Sequence, residues 1–259
     1  MTDRQTWTPE HYRRANSRQI RTALEALELA GLRGGRLADV GCGSGEITRE
    51  LAARGYTVTA SDFSPAMVEA TRELCAGLPV TVEVRDAREL QLEPGAFDIV
   101  HCSWVLHWLD DIDHALPAMA AAVAPGGALV LQWSRANPRH QPDPVIMLEE
   151  VMSRPRWRDR LADTPFAMHQ HPADEVVERL VATGLAIELP PTELDAQFVA
   201  DPVTLGQIMK AAGLAEQAKK LGGDADDFVT EVATEMVNAD ELNPHNMRLI
   251  ARAGASRGA

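Results

Sequence analysis

The residues whose types and spacing suit chemistry begin in L-A-D-V-G-C-G-S-G, residues 37–45. An apolar run ends at Asp39-Val40, glycines follow at 41, 43 and 45, and a helical pattern starts at Glu46. A strand that stops at a glycine turn and feeds a helix leaves bare backbone N–H groups at the helix start, with no Cβ to hold a ligand away. An ordinary tight turn uses the same glycines, so the surroundings decide. A second alternating run, T-V-T-A-S, ends at Asp62. The interval from Asp39 is close to the roughly 20 residues that separate the turn from the ribose-binding acid of a Rossmann-type site. A carboxylate there accepts hydrogen bonds from both hydroxyls of a ribose diol. Further along, His101, His107 and Trp108 fall at or just after the end of a later strand and offer imidazoles and an indole N–H. His107, beside Val105 and Leu106, reads either as a general base or as a satisfied interior histidine.

The elements that must hold these residues alternate along the chain. Strands are expected at 37–40, 56–60, 80–84, 96–102 and 128–133, with helices at 46–54, 66–76 and 112–123. Ser64-Pro65 opens the second of these helices as N-cap and N1, and Pro125-Gly126-Gly127 turns the chain before the fifth strand. Strands alternating with helices of this length give a parallel, doubly wound sheet with right-handed crossovers. Ahead of it, 9–31 reads as a helix stopped by Gly31. After Trp133 the rhythm breaks into a proline-rich loop (136–144), helical pieces at 147–154 and 157–163, and a loop at 164–172. A helix at 174–183, a strand over 186–199 broken by Pro190-Pro191, helices at 202–220 and 224–237, and a terminal strand at 246–254 complete the chain. The expectation is one Rossmann-like domain over 1–259, with an N-terminal helical segment (1–31) over the site and helical cap insertions at 134–172 and 200–242.

The glycine pattern is G-x-G-x-G, not the G-x-G-x-x-G of dinucleotide sites. With it the chain resembles the class I S-adenosylmethionine-dependent methyltransferases. The likeness continues in order through Asp62-Phe63, R-D-A (85–87), F-D-I-V-H-C-S-W-V-L-H-W-L (97–109) and A-P-G-G-A-L-V-L-Q-W (124–133). It implies an α/β, Rossmann-like doubly wound sheet of seven strands, the last antiparallel, with lid insertions over the substrate. It also implies S-adenosyl-L-methionine as cofactor and S-adenosyl-L-homocysteine as product. Gly41 and Gly43 then admit the methionine moiety and Asp39 helps to hold its amino group. Asp62 takes the ribose, Phe63 and Met67 pack on the adenine, and Asp86 and the Ala87 N–H read its edge. The resemblance adds Tyr12, Cys42 and Ser103 to the cofactor side. The opening Y-x-x-x-N-S-x-Q (12–19) is similar to that of juvenile hormone acid methyltransferases. By that likeness Gln19 and the Trp108 of Leu106-His107-Trp108 bind a substrate carboxylate. The chain is also similar to trans-aconitate methyltransferases, whose tricarboxylate would call on Arg13, Arg14, Arg18, Arg135 or Arg139.

Composition bounds the alternatives. A chain of 259 residues, 45% hydrophobic and 24% charged, can bury one large α/β core or one core with a small cap. A net charge of −13 argues against general binding to nucleic acid or an anionic membrane. Cys42, Cys75 and Cys102 form no C-x-x-C pair, so reduced buried thiols, no metal and a cytoplasmic setting are expected. No run of about 18 apolar residues appears. The expected function is methyl transfer to a small molecule by a monomer or homodimer, with O-methylation of a carboxylate on a fairly apolar acid favoured. The rivals are a hydroxyl, amine or carbon acceptor with His107 as base, and a fold that uses the cofactor without methyl transfer.

Overall fold

The computed structural model describes residues 17–135, 144–164, 166, 168–194, 201–211, 213–238 and 245–255. Its first half runs α1 (Ser17–Leu29), β1 (Gly35–Val40), α2 (Glu46–Ala53), β2 (Tyr56–Asp62), α3 (Pro65–Leu74), β3 (Val80–Val84), β4 (Phe97–Ser103), α4 (Ala115–Ala122) and β5 (Val123–Arg135). Its second half runs α5 (Pro144–Ser153), α6 (Arg158–Leu161), α7 (Ala173–Ala182), β6 (Ala186–Glu193), α8 (Pro202–Ala211), α9 (Ala215–Leu221), α10 (Ala225–Asn238) and β7 (His245–Arg252). Single 3₁₀ turns at Ala87–Glu89 and Leu106–Trp108 follow β3 and β4.

The strands form one seven-stranded sheet in the order β3-β2-β1-β4-β5-β7-β6. β1 through β5 pair in parallel, and β7 runs antiparallel to both β5 and β6. Strand order reverses between β1 and β4, so the crevice of an open α/β sheet lies at their carboxyl ends, where the glycine turn begins. Two apolar clusters cover the two faces. Val40, Val100, Leu129, Leu131 and Leu249 face one, with α4 and α7. Leu37, Ile99, Val130 and Ile250 face the other, with α1 and α2. Burial on both faces is why these strands read as nearly continuous apolar runs.

Several boundaries differ from expectation for identifiable reasons. Gly31, at φ +69°, stops α1 as expected, and the part of the expected 9–31 helix before Ser17 lies outside the described residues. The helix expected at 112–123 begins at Ala115, and Val123 already belongs to β5, paired with Phe97 before the Pro-Gly-Gly stretch shifts the register. The diproline does not stop β6. It shifts the register on either side of Leu189, which β6 tolerates because it is an edge strand and loses no interior ladder bond. The helix expected over 202–220 is two, α8 and α9, with Gly213 between them.

A third apolar cluster belongs to neither face of the sheet. Leu148 and Val151 of α5, Trp157, Leu161 of α6, Leu214, Leu221, and Phe228 and Val232 of α10 pack together. Trp157 stands edge-on to Phe228 at 5.4 Å and its Nε1 donates to Glu231 Oε2 at 2.8 Å. Gly206 lets α8 lie directly on α10, since a Cβ there would sit 2.9 Å from Val229 O. The two sequence stretches expected as insertions thus share one small core, although α7 and β6 separate them along the chain.

Candidate active site

The glycine turn follows β1 directly. Gly41, Gly43 and Gly45 all have left-handed φ values, +75°, +55° and +91°. A Cβ on Gly41 would come within 2.1 Å of Val105 Cγ2, and one on Gly45 within 2.9 Å of the Thr71 backbone. The turn is tied to β2, because the N–H groups of Gly41 and Cys42 both donate to Ser61 O. Cys42 itself is buried against Thr71 and Gly43 O, and burial, then Asp39 and Asp62, raises its thiol well above the ordinary range. Its thiol packs beside the turn.

Asp62 ends β2 at the lip of this turn. Its Oδ2 accepts from Gly43 N–H at 3.0 Å and its Oδ1 from Ser64 N–H at 2.9 Å. Burial nevertheless pushes its carboxyl up to about 6, with Asp39 and Asp86 adding smaller upward contributions. A buried carboxylate short of donors, beside a backbone cradle that a Cβ would fill, fits a nucleoside whose diol supplies two more donors. Met67, in the first turn of α3, is buried and its N–H donates to Ser64 Oγ, while Phe63 is half-buried. Asp86 follows β3 and accepts from Arg88 N–H and Nε–H, and Ala87 opens the 3₁₀ turn.

Asp39 is deeper than the sequence suggests. It is 2% exposed, and both its oxygens are held: Oδ2 by Thr48 Oγ1 at 2.6 Å, Oδ1 by His101 Nδ1 at 2.8 Å. The β1–β4 register sets Asp39 opposite His101 and makes that contact. His101, expected near the acceptor, is therefore a buried strand residue that joins Asp39 to Ser103.

At the end expected to face the acceptor, the 3₁₀ turn Leu106–Trp108 follows β4. His107 is buried, its Nδ1 accepts from Ser134 N–H at 3.2 Å, and its carbonyl accepts from His169 N–H at 2.8 Å. Burial, then His171, pushes its pKa down to about 3. The ring is neutral at pH 7 with its proton on Nε2: a donor there and a poor base. Its ring lies 4.9 Å from that of Trp108. The indole of Trp108, Phe166 and Gly213 come together, because a Cβ on Gly213 would lie 3.5 Å from Trp108 Cη2 and 3.2 Å from Phe166 Cε2. The third cluster thus reaches the turn that carries Trp108. Trp133, by contrast, is core: fully buried, with its Nε1 donating to His171 O at 3.0 Å. Gln19 lies in the first turn of α1, where its carbonyl accepts from Thr22 Oγ1. Tyr12, Arg13, Arg14 and Arg139 lie outside the described residues, as do the side chains of Arg18 and Arg135.

Two polar groups at this end of the sheet, Gln132 and Arg248, escaped the sequence reading. Gln132 of β5 is fully buried between Ser103 and α1. Arg248 of β7 stands across from Gln132, with its Nε and Nη1 buried and without a partner among the described residues. Trp104 holds φ +65°, the one non-glycine left-handed residue among those described, and its Nε1 is likewise buried and unpartnered. The signal for Gln132 and Arg248 was present: a polar residue inside an apolar strand of a sheet covered on both faces needs a reason.

Comparison with known proteins agrees with this geometry. A model of the methyltransferase domain matches residues 38–131. The trans-aconitate 2-methyltransferase of Paracidovorax citrulli is 34% identical over 164 residues, 61% of this chain and 60% of its own length. This chain therefore spans less than two thirds of that relative. The trans-aconitate 2-methyltransferase of Variovorax paradoxus is 30% identical over 227 residues, 75% of this chain and 86% of its own. Among solved structures, the [4+2]-cyclase SpnF superimposes with a TM-score of 0.65 at 19% identity, over 92% of this chain and 81% of the cyclase. At that identity the likeness speaks for the fold alone.

Proposed function

Because the chain belongs to the class I S-adenosylmethionine-dependent methyltransferases, we propose that its acceptor is a small carboxylic acid, converted to its methyl ester. S-adenosylmethionine is the cofactor, and when bound it supplies an electrophilic methyl on a sulfonium. Gly41 and Gly43 would admit its methionine part, Asp62 its ribose, and Asp86 with the Ala87 N–H its base.

One observation carries the acceptor reading: the imidazoles supplied by the end of β4, His107 and His101, are already committed. His107 Nδ1 accepts a hydrogen bond from the Ser134 N–H, and His101 is held between Asp39 and Ser103. A phenol or alcohol acceptor wants a base, whereas a carboxylate is ionised at pH 7 and needs none. Catalysis then reduces to holding an oxygen in line with the methyl, a contribution of up to roughly 7–11 kcal/mol. Neutral donors suit this task, because they orient the carboxylate without quenching its nucleophilicity. Gln19 and Trp108 are assigned that role, and His107 keeps Trp108 in place. Arg248 adds a half-buried cation one strand beyond Gln132, which suits an acidic acceptor better than a cationic one. The two relatives described above are named for an acid, and this supports the same chemistry. The helices around Trp157 and Phe228 form the cap over this acceptor end.

A panel of carboxylic acids, read by mass detection of the methyl ester, tests the reading. Ester should form from at least one acid, and Gln19→Ala should cut turnover at least tenfold while the affinity for S-adenosylhomocysteine stays within about twofold. Methylation of phenols or amines alone, with no ester from any acid, would reject it.

A further inference from the structure

A row of hydrogen bonds crosses the sheet beneath the site, from the cofactor side to α1. Thr48 Oγ1 donates to Asp39 Oδ2 at 2.6 Å, and Asp39 Oδ1 faces His101 Nδ1 at 2.8 Å. His101 Nε2 faces Ser103 Oγ at 2.7 Å, and Ser103 Oγ donates to Gln132 Oε1 at 3.1 Å. Gln132 Nε2 donates to Thr22 O at 3.0 Å, and Thr22 Oγ1 donates to Gln19 O. Strand register builds the row, since Asp39 pairs with His101 and Ser103 with Gln132. Asp39, His101 and Gln132 are each no more than 2% exposed.

The direction of these bonds is fixed from the far end. The Thr22 carbonyl only accepts, so Gln132 must present its NH₂ there and its oxygen to Ser103. That oxygen also only accepts, so it takes the single hydroxyl proton of Ser103. Ser103 Oγ must then accept from His101, which puts a proton on Nε2. His101 Nδ1 still faces a carboxylate oxygen at hydrogen-bond distance, so a second proton lies between Nδ1 and Asp39 Oδ1. If Ser103 instead turned its proton to Nε2, the pair would need one proton fewer, but Gln132 Oε1 would lose its donor while buried. The charged groups nearest the row sit at its two ends, with Asp62 of β2 toward Asp39. Arg248, across from Gln132, is the cation on the far side.

We propose that His101, doubly protonated against Asp39, is a positioning residue that locks the first turn of α1, and with it Gln19, onto the cofactor side of the sheet through Ser103 and Gln132. The lock takes the acceptor-holding role of Gln19 from the reading above; its proton inventory stands apart from that reading.

Two-bond ¹H–¹⁵N spectra of the full chain, labelled at histidine and assigned by loss of signal in His101→Gln, read the inventory directly. At pH 7 both ring nitrogens of His101 should resonate as protonated. Gln132→Leu, which releases the Ser103 proton, should return Nε2 to the bare-nitrogen range. The same variant should lower turnover of the methylated acid about tenfold with S-adenosylhomocysteine affinity within about twofold. Ser103→Thr, which keeps the hydroxyl, should retain turnover that Ser103→Ala loses. Should Gln132→Leu fold poorly, Gln132→Met replaces it, because its thioether neither holds the Ser103 proton as an amide oxygen does nor donates to Thr22 O. One bare ring nitrogen in the native chain, or an unchanged ring and unchanged turnover in the Gln132 variant, overturns the proposal. A doubly protonated ring in a protein that esterifies no acid would instead count against the acceptor reading alone.

Discussion

At the scale of single residues, Asp62, proposed above to hold the ribose, is buried at a cost in stability. Its carboxyl sits at about 6 in the fold against a reference of 3.8, so below pH 4 the folded chain gains nothing and loses nothing from it. As pH rises through 6 the folded protein must ionise a buried acid, and relative stability is lost. The full gap is worth about 3 kcal/mol at neutral pH. Asp62→Asn removes that cost but can accept only one of the two N–H groups now shared by Gly43 and Ser64, so a net gain of about 1–2 kcal/mol is expected at pH 7. None is expected at pH 4. Urea melts at the two pH values check this, and calorimetry should show cofactor affinity falling at least tenfold in the same variant. In the native chain, cofactor affinity should weaken as pH falls from 7.5 through about 6, because ribose hydroxyls donate best to the ionised form.

Gly41 makes a steric prediction at the same scale. A methyl there meets Val105 Cγ2 and also occupies a left-handed φ. Gly41→Ala should cost about 2 kcal/mol or more and abolish cofactor binding. Adding Val105→Ala should recover part of the stability loss, since it removes the clash and leaves the backbone cost. Thermal melts of the single and double variants separate the two contributions.

At the scale of elements, the third apolar cluster, proposed above as the cap, depends on a few large contacts. Trp157 is fully buried, stands edge-on to Phe228 and donates to Glu231. Trp157→Ala should cost about 3–5 kcal/mol within the cap. The sheet has its own two clusters, so melting monitored at the cap should separate from melting monitored at the sheet. A single, uniformly shifted transition would mean that the cap and sheet unfold as one unit. The break between α8 and α9 follows from the same packing, because Gly213 passes close to Phe166 and Trp108. A side chain there would push the cap off the turn that carries Trp108.

At the scale of the whole molecule, the parallel strands are covered on both faces, and the helices of the third cluster share an apolar core of their own. Amide exchange should be slowest in β1, β4 and β5 and faster in α8–α10, and the faster set should slow on binding of S-adenosylhomocysteine with an acid. Equal protection in both sets, with and without ligands, would remove the cap from the binding cycle. No helix among the described residues is long and apolar enough to cross a membrane.

The order of the first five strands, the glycine turn and the placement of Asp62 at the end of β2 were legible in the chain, because each rests on local signals: apolar runs, left-handed glycines and a Ser-Pro helix start. Such features are set by a residue and its near neighbours, and a sequence carries them directly. What tertiary structure decided are the meetings of distant residues. Asp39 with His101, Ser103 with Gln132, Gln132 with Thr22, and α5 with α10 depend on strand register and on which faces turn inward. Those are outcomes of packing the whole chain at once, and no local propensity encodes them.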